Sequence, residues 1–386
     1  MKFGKIMMFG ALALLAASCS DDNDEPKTDT DLSAKEKTLQ AAVNDYVDHT
    51  VLPTYAAMAD AAIEMRDLCH AMQSKHEAGT LTQADIQAAG EAWKRARKNW
   101  ELSEAFLFGP AANHNIDPHI DSWPLDKAAM ENLLVQIRSG NPWSLENNGG
   151  YGLIGFHAVE YMLFELSADE NTALVHSTDY TPEELEYLVA VADDLCAQCV
   201  CLEACWAGTE NLSAAKQAVL EEAELDYGEN YGWEMKNAHQ AGSRFKTYQE
   251  ASEEILQGCI DIADEVGNTK IGRPHIGSSL EDKNYIESPY SLNSIEDFAD
   301  NIRSVRNAYL GSRSGDASVS DYVRAHNAEA DAKVRKAIDD AIAAIELIPE
   351  PFAKNAAGAL SEAAMKAAGE TLVAALEEAA AVVTER

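Results

Sequence analysis

Apolar residues recur at intervals of three and four along most of this chain, the spacing that lines one face of an α-helix. The pattern predicts helices at 33–75, interrupted near Pro53, and at 82–107, stopping at Gly109-Pro110. Others are expected at 125–139, 153–166, 181–206, 213–224, 229–266, 294–311, 319–347 and 352–383. Two starts are explicit. Thr82-Gln83-Ala84-Asp85 is a variant capping box, and Thr181-Pro182-Glu183-Glu184 sets a hydroxyl cap before Pro at the first helical position, with acids behind it. A segment rich in Asn, Asp, His and Pro at 111–124 reads as a loop. No alternating apolar–polar run bounded by turn residues reads as a strand, so the expected fold class is all-α. Long helices with short links suggest two helical bundles of the four-helix type. Gly208 and Asn211 interrupt the pattern and place the division near 210, giving an N-terminal bundle at 35–210 and a C-terminal one at 211–386.

The first residues read differently. Lys2 and Lys5 precede an apolar run at 6–17, shorter than the roughly 20 residues that span a bilayer. Leu15-Ala16-Ala17-Ser18-Cys19 resembles the lipobox of bacterial lipoproteins, which implies a signal peptide at 1–18 and acyl chains on Cys19. The acidic stretch from Ser20 to Pro26 cannot bury a core and makes 19–34 a flexible tether. It also resembles the surface-export signal of Bacteroidetes lipoproteins; a linker serving only solubility is the alternative. The expected location is the bacterial cell envelope, as an outer-membrane lipoprotein, with surface exposure if the export signal is real.

A formal net charge of −35 argues against nucleic acid as a partner, because phosphate binding needs clustered Lys and Arg. It argues equally against docking on anionic lipid head groups. Beyond Cys19, the cysteines are Cys69, Cys196, Cys199, Cys201, Cys205 and Cys259. At about 100° per residue, Cys196 and Cys199 share one side of a helix while Cys201 and Cys205 fall roughly opposite. One helix therefore cannot gather all four thiolates around a tetrahedral ion. Buried small residues, or disulfides permitted by an exported setting, are the expectation.

Three motifs could carry chemistry. Gly150-Tyr151-Gly152-Leu153-Ile154-Gly155 matches the dinucleotide fingerprint by letter, but no strand precedes it, so its glycines are expected to shape a loop into the next helix. His157-x-x-Glu160 puts an imidazole and a carboxylate on one helical face, surrounded by Leu153, Phe156, Val159, Met162 and Leu163. Polar groups in such company are costly unless paired or coordinated. His326-Asn327-Ala328-Glu329 matches the same pattern in a surface-like setting. Finally, Arg97, Trp100, Glu101 and Glu104 lie on one helical segment, followed by Asp117 and Asp121 on a Pro-bounded loop. Two like charges on one face call for a cation or a shared proton; pairing of Glu101 with Arg97, and Asp121 as a turn cap, is the plainer alternative.

The blocks Trp100-Glu101-x-x-Glu104-x-Phe106-x-Phe108-Gly109-Pro110, Ile116-Asp117-x-x-Ile120-Asp121-x-Trp123-Pro124 and Gly155-Phe156-His157-Ala158-Val159-Glu160-Tyr161 together resemble the imelysin-like family. Lys270-Ile271-Gly272-x-Pro274 and Glu287-Ser288-Pro289-Tyr290-Ser291-x-Asn293-Ser294-x-x-Asp297 extend the resemblance over nearly all of the mature chain. It implies two helical bundles with a cleft between them, into which the GxHxxE helix projects. The family has been classed with metallopeptidases, and related periplasmic proteins of iron-uptake systems bind metal through residues matching His157, Glu160, Glu101 and Glu104, with a loop aspartate.

Three functions follow as expectations. In the first, a metal ion (iron, with zinc or manganese as other candidates) or a small ligand is bound by Glu101, Glu104, Asp117, Asp121, His157 and Glu160, serving iron acquisition with an envelope transport partner. In the second, a metal-independent cleft lined by Arg97, Trp100, Tyr161, Glu287, Ser291 and Asp297 takes a peptide, glycan or protein. In the third, Glu160 or Glu104 acts as general base toward a metal-bound water. The chain has no HExxH motif, and His114 and His119 are the only nearby candidates for a second nitrogen ligand.

Overall fold

The computed structural model describes residues 32–145 and 150–385. The expected signal peptide, the expected lipidation site Cys19 and nearly all of the expected tether lie outside those residues.

Helix α1 (Ala34–Asp45) passes through a wider, π-type turn at Tyr46–Val51 into α2 (Leu52–Glu77). The interruption expected at Pro53 thus falls just before it, where a wide turn accommodates the missing N–H. Next come α3 (Gln83–Glu101), α4 (Lys127–Arg138), α5 (Gly155–Leu163), α6 (Pro182–Ala207) and α7 (Ala214–Ala223). The capping box expected at Thr82 forms, with Asp85 accepting from the Thr82 amide at 3.0 Å, and the hydroxyl cap expected at Thr181 is completed into a second one by Glu184, which accepts from the Thr181 amide at 2.7 Å. The C-terminal half supplies α8 (Tyr248–Glu265), α9 (Ser294–Leu310), α10 (Ala328–Glu346) and α11 (Val373–Thr384).

Among the described residues the fold is all-α apart from one small hairpin. Helix α2 packs along α3 and α6, with α5 crossing α3 and α6. In the second layer α8, α9, α10 and α11 pack together, and α1 lies against α8 rather than against α3 or α6. Helix α9 and the turn Glu104–Phe106 join the layers, and one apolar core runs from Leu32 to Val383. Trp93, Trp100 and Trp206 are fully buried within it. A ring of that size contributes about 4–6 kcal/mol of transfer free energy before entropy is counted.

Local chemistry shortened several expected helices. The one expected at 153–166 ends at Leu163, because Phe164–Leu166 (β1) turns extended and pairs antiparallel with Ala173–Val175 (β2). The Phe164 ring instead packs edge-on to Trp93, 5.4 Å between centroids. The helix expected at 229–266 is two, Tyr231–Lys236 and α8, since Thr247 caps α8 by accepting from the Glu250 amide at 3.1 Å. Asn327 likewise splits 319–347 by accepting from the Ala330 amide. The 111–124 segment holds two short helical turns, Pro110–Asn113 and Ile116–Ile120. All six cysteines of the described residues are buried and free, so no disulfide forms among them. The Ala-rich tail packs α11 against α8 and α10, and no helix of the described residues is long and apolar enough to cross a membrane.

Candidate functional site

Two close backbone approaches build the site. Gly155 opens α5 at φ +77°, and a Cβ there would sit 2.1 Å from the Ile120 carbonyl oxygen. Only glycine lets the helix begin against the Ile116–Ile120 turn, which brings His157 beside Asp121. No strand of the described residues precedes Gly150–Gly155, and the glycines lead into α5 through a short turn at Tyr151–Leu153. In the second half, Gly267 meets Gly369 so closely that a Cβ would lie 2.3 Å from the Gly369 Cα. That contact seats the turn Val266–Ile271 and, on it, Lys270.

Helix α3 then points Arg97, Trp100 and Glu101 inward from its buried face. Arg97 is fully buried and touches four carboxylates. Glu101 and Glu287 lie 2.5 Å from its Nη2, Asp297 lies 3.2 Å from its Nε, and Asp121 contacts Nη1. Trp100 Nε1 donates to Asp121 Oδ2 at 2.7 Å. Ser288 donates to Asp297 at 2.5 Å, and Asn301 donates to Glu101. Lys270, also buried, lies 3.0 Å from Glu287, 3.4 Å from Glu104 and 3.7 Å from Glu101.

On α5, His157 stands between two carboxylates: Nε2 is 3.0 Å from Asp121 Oδ1, and Nδ1 is hydrogen-bonded to Glu160 Oε2 at 3.2 Å. The other Glu160 oxygen accepts from the Tyr290 amide at 3.0 Å, the Ser291 amide at 2.8 Å and the Ser291 hydroxyl at 2.7 Å. Tyr161, half-buried, packs edge-on to Tyr290, with Lys127 over both rings. The GxHxxE helix therefore locks onto the 288–291 loop of the second half. The other HxxE pattern does none of this: His326 bonds the Tyr322 carbonyl, and Glu329, 81 % exposed, pairs with Lys333.

The charges are strongly interdependent. Burial opposes protonation of His157, but Asp121 and Glu160 outweigh it and raise its pKa to about 9. Burial likewise opposes ionisation of Asp121, yet Arg97 and His157 hold it well below the carboxylate range. Glu101 and Glu104 are raised by burial despite Arg97 and Lys270. Burial also lifts Asp297 to about 6 and, with Asp121 and Glu265 beside it, Asp117 to about 7.

The six expected metal ligands divide. Asp121, His157 and Glu160 form one linked set, with Glu101 tied to Arg97 as the plainer alternative had it. Glu104 and Asp117, with one side of Asp121, face a pocket of about 210 Å³ beside Ser122, Trp123, Tyr285 and Glu265. The expected cleft residues Arg97, Trp100, Glu287, Ser291 and Asp297 are buried in the network rather than presented to a ligand. His114 and His119 turn away toward Glu229 and Asp194. Sequence reasoning gave no role to Lys270 or Glu265; a lysine between Val266 and Ile271 in a buried turn was the available signal.

The imelysin family model matches residues 51–383. The chain belongs to the imelysin family. Among similar proteins, the iron-regulated protein A of Synechococcus elongatus is 27 % identical over 340 residues, covering 87 % of this chain and 83 % of that protein. A crystal structure described as an iron-regulated protein A precursor, from Parabacteroides distasonis, superposes with a TM-score of 0.76 at 28 % identity, covering 95 % of this chain and all of that one. An imelysin-like protein from Psychrobacter arcticum shares the fold at a TM-score of 0.54 and 15 % identity, over 92 % and 95 % of the two chains. For this imelysin, the matched span contains every residue of the His157–Asp121–Arg97 network.

Proposed function

We propose that this protein is a lipid-anchored envelope protein that binds a metal cation in the service of iron acquisition. The observation that carries the reading is a charge imbalance at an open pocket. Among the described residues, Glu101, Glu104, Asp117, Asp121, Glu160, Glu265, Glu287 and Asp297 are paired in this region with Arg97, Lys270 and His157 as the cations. Glu104, Asp117, Asp121 and Glu265 face the pocket, and burial raises the pKa values of Glu104, Asp117 and Glu265 by more than Lys270 offsets. An incoming cation supplies the remaining compensation. Oxygen donors suit hard cations, ferric or ferrous iron and manganese before soft metals. The names of the relatives, iron-regulated protein A, agree with iron.

In this reading the pocket carboxylates are the ligands, while His157 and Glu160 are positioning residues that hold Asp121 and the 288–291 loop. Anchoring through Cys19 and an outer-membrane location belong to the same proposal and rest on the lipobox. Loss of labelling by a fatty-acid analogue in Cys19→Ala tests the anchor.

The test of the site is calorimetric titration of the chelator-stripped protein with ferrous iron, manganese and zinc. Binding should weaken at least tenfold in Glu104→Gln and in Asp117→Asn, and fall in His157→Ala. It should be unchanged in His326→Ala. Iron and manganese both failing to bind, or equal affinities in wild type and the two pocket variants, would overturn the reading.

A further inference from the structure

A second cluster of metal-binding side chains lies apart from the acidic pocket, where α6 ends. Cys205, from the last turn of α6, is buried. His114 follows the Pro110–Asn113 turn, and Glu229 stands just ahead of the helix Tyr231–Lys236. One ligating atom from each lies within 4.8 Å of the others. A thiol, an imidazole and a carboxylate from three separate segments thus converge on one point.

Two further observations indicate that a group belongs between them. His114 Nε2 and Glu229 Oε2 are 3.2 Å apart, yet both atoms are shielded from solvent and neither makes a hydrogen bond. Their spacing is that of a contact, but neither atom is aimed at the other. Two buried polar atoms left so would each cost about 1–3 kcal/mol. The spacing is close to the edge of a zinc tetrahedron, about 3.3 Å for nitrogen and oxygen ligands bonded at about 2.0–2.1 Å. The surroundings also fix the ligands. Tyr227 stacks on the His114 ring at 3.7 Å and 9°, setting its orientation. Arg244 approaches the opposite Glu229 oxygen at 3.7 Å, leaving Oε2 turned toward His114.

We propose that His114, Cys205 and Glu229 form a binding site for a single borderline divalent cation of the zinc class. Cys205 Sγ, His114 Nε2 and Glu229 Oε2 are its ligands. The fourth position is open to water. On binding, the thiol proton passes to solvent and the thiolate binds the metal. The ion ties the His114 turn and the Glu229 loop to the end of α6, a structural staple distinct in place and donor chemistry from the oxygen-lined pocket. The Cys196/Cys199 side of α6 contributes nothing, so the bar on four thiolates from one helix still holds.

Cobalt(II) titration of the metal-stripped full chain tests this, because a thiolate bound to cobalt gives a near-ultraviolet charge-transfer band that oxygen ligands do not. One equivalent of cobalt should produce the band, and one equivalent of zinc should abolish it. The band should be absent in Cys205→Ser, and its midpoint should shift at least tenfold in Glu229→Gln. It should persist in Cys196→Ser and in Glu104→Gln, the latter separating this site from the pocket. No band in the wild type, or a band that survives Cys205→Ser, overturns the proposal. Should Cys205→Ser not fold, as judged by circular dichroism, Glu229→Gln decides: an unchanged midpoint in that folded, near-isosteric variant refutes the site.

Discussion

Replacing Arg97 by methionine should expose how far the site depends on one guanidinium. The side chain is fully buried, with carboxylates at 2.5, 2.5 and 3.2 Å and Asp121 in contact. At an effective dielectric of about 20, each charge pair near 4 Å is worth about 4 kcal/mol, so four give a gross attraction of about 16 kcal/mol. Desolvation of the five groups and repulsion among the acids consume most of that. What remains on removing the cation is a cluster of buried acids with only Lys270 and His157 to offset them. Breaking a buried ionic group this way costs about 3–5 kcal/mol. Methionine fills comparable volume, so a cavity adds little. The assay is urea unfolding of wild type and Arg97→Met at pH 7.5 and pH 5. A loss of about 3–5 kcal/mol is expected at pH 7.5. It should shrink at pH 5, because Asp297, at about 6, and the raised Glu101 then take up protons. A loss under about 1 kcal/mol at pH 7.5, or one that grows at pH 5, would refute the electrostatic account.

Three further outcomes are expected. His157→Gln should cost up to about 3 kcal/mol, since each pKa unit is worth about 1.4 kcal/mol and His157 rises from 6.5 to about 9. Because the folded pKa is the higher one, that difference is fully present below pH 6.5 and disappears as pH rises through 9; urea midpoints across pH 6–10 would check it. Gly155→Ala should lower stability by more than 2 kcal/mol in thermal unfolding, because its Cβ has no room against Ile120 and φ is positive. Lys336→Ala, which removes an exposed i,i+4 pair with Asp340, should change the same melt by less than about 0.5 kcal/mol.

Helical periodicity and caps lie within a few residues of one another, so the sequence by itself determined the all-α class, the start of α3 at Thr82 and the start of α6 at Thr181. It also singled out His157 and Glu160, since a His and a Glu among apolar neighbours must find partners. It separated them from His326 and Glu329, whose neighbours are polar. Where two local signals competed, the pattern misled: Thr247 and Asn327 capped new helices inside apparently continuous ones, and the Phe164–Val175 pairing ended α5 early. The partners themselves were decided only by tertiary structure. Arg97 meets Glu287 and Asp297 some 190 and 200 residues away, and Lys270 reaches back 166 residues to Glu104. No periodicity encodes such distances. The same holds for His114, Cys205 and Glu229, three unremarkable letters until the ends of separate segments bring them within one coordination sphere. Burial fixes which charges must be neutralised, and only the packed chain shows which cation does it.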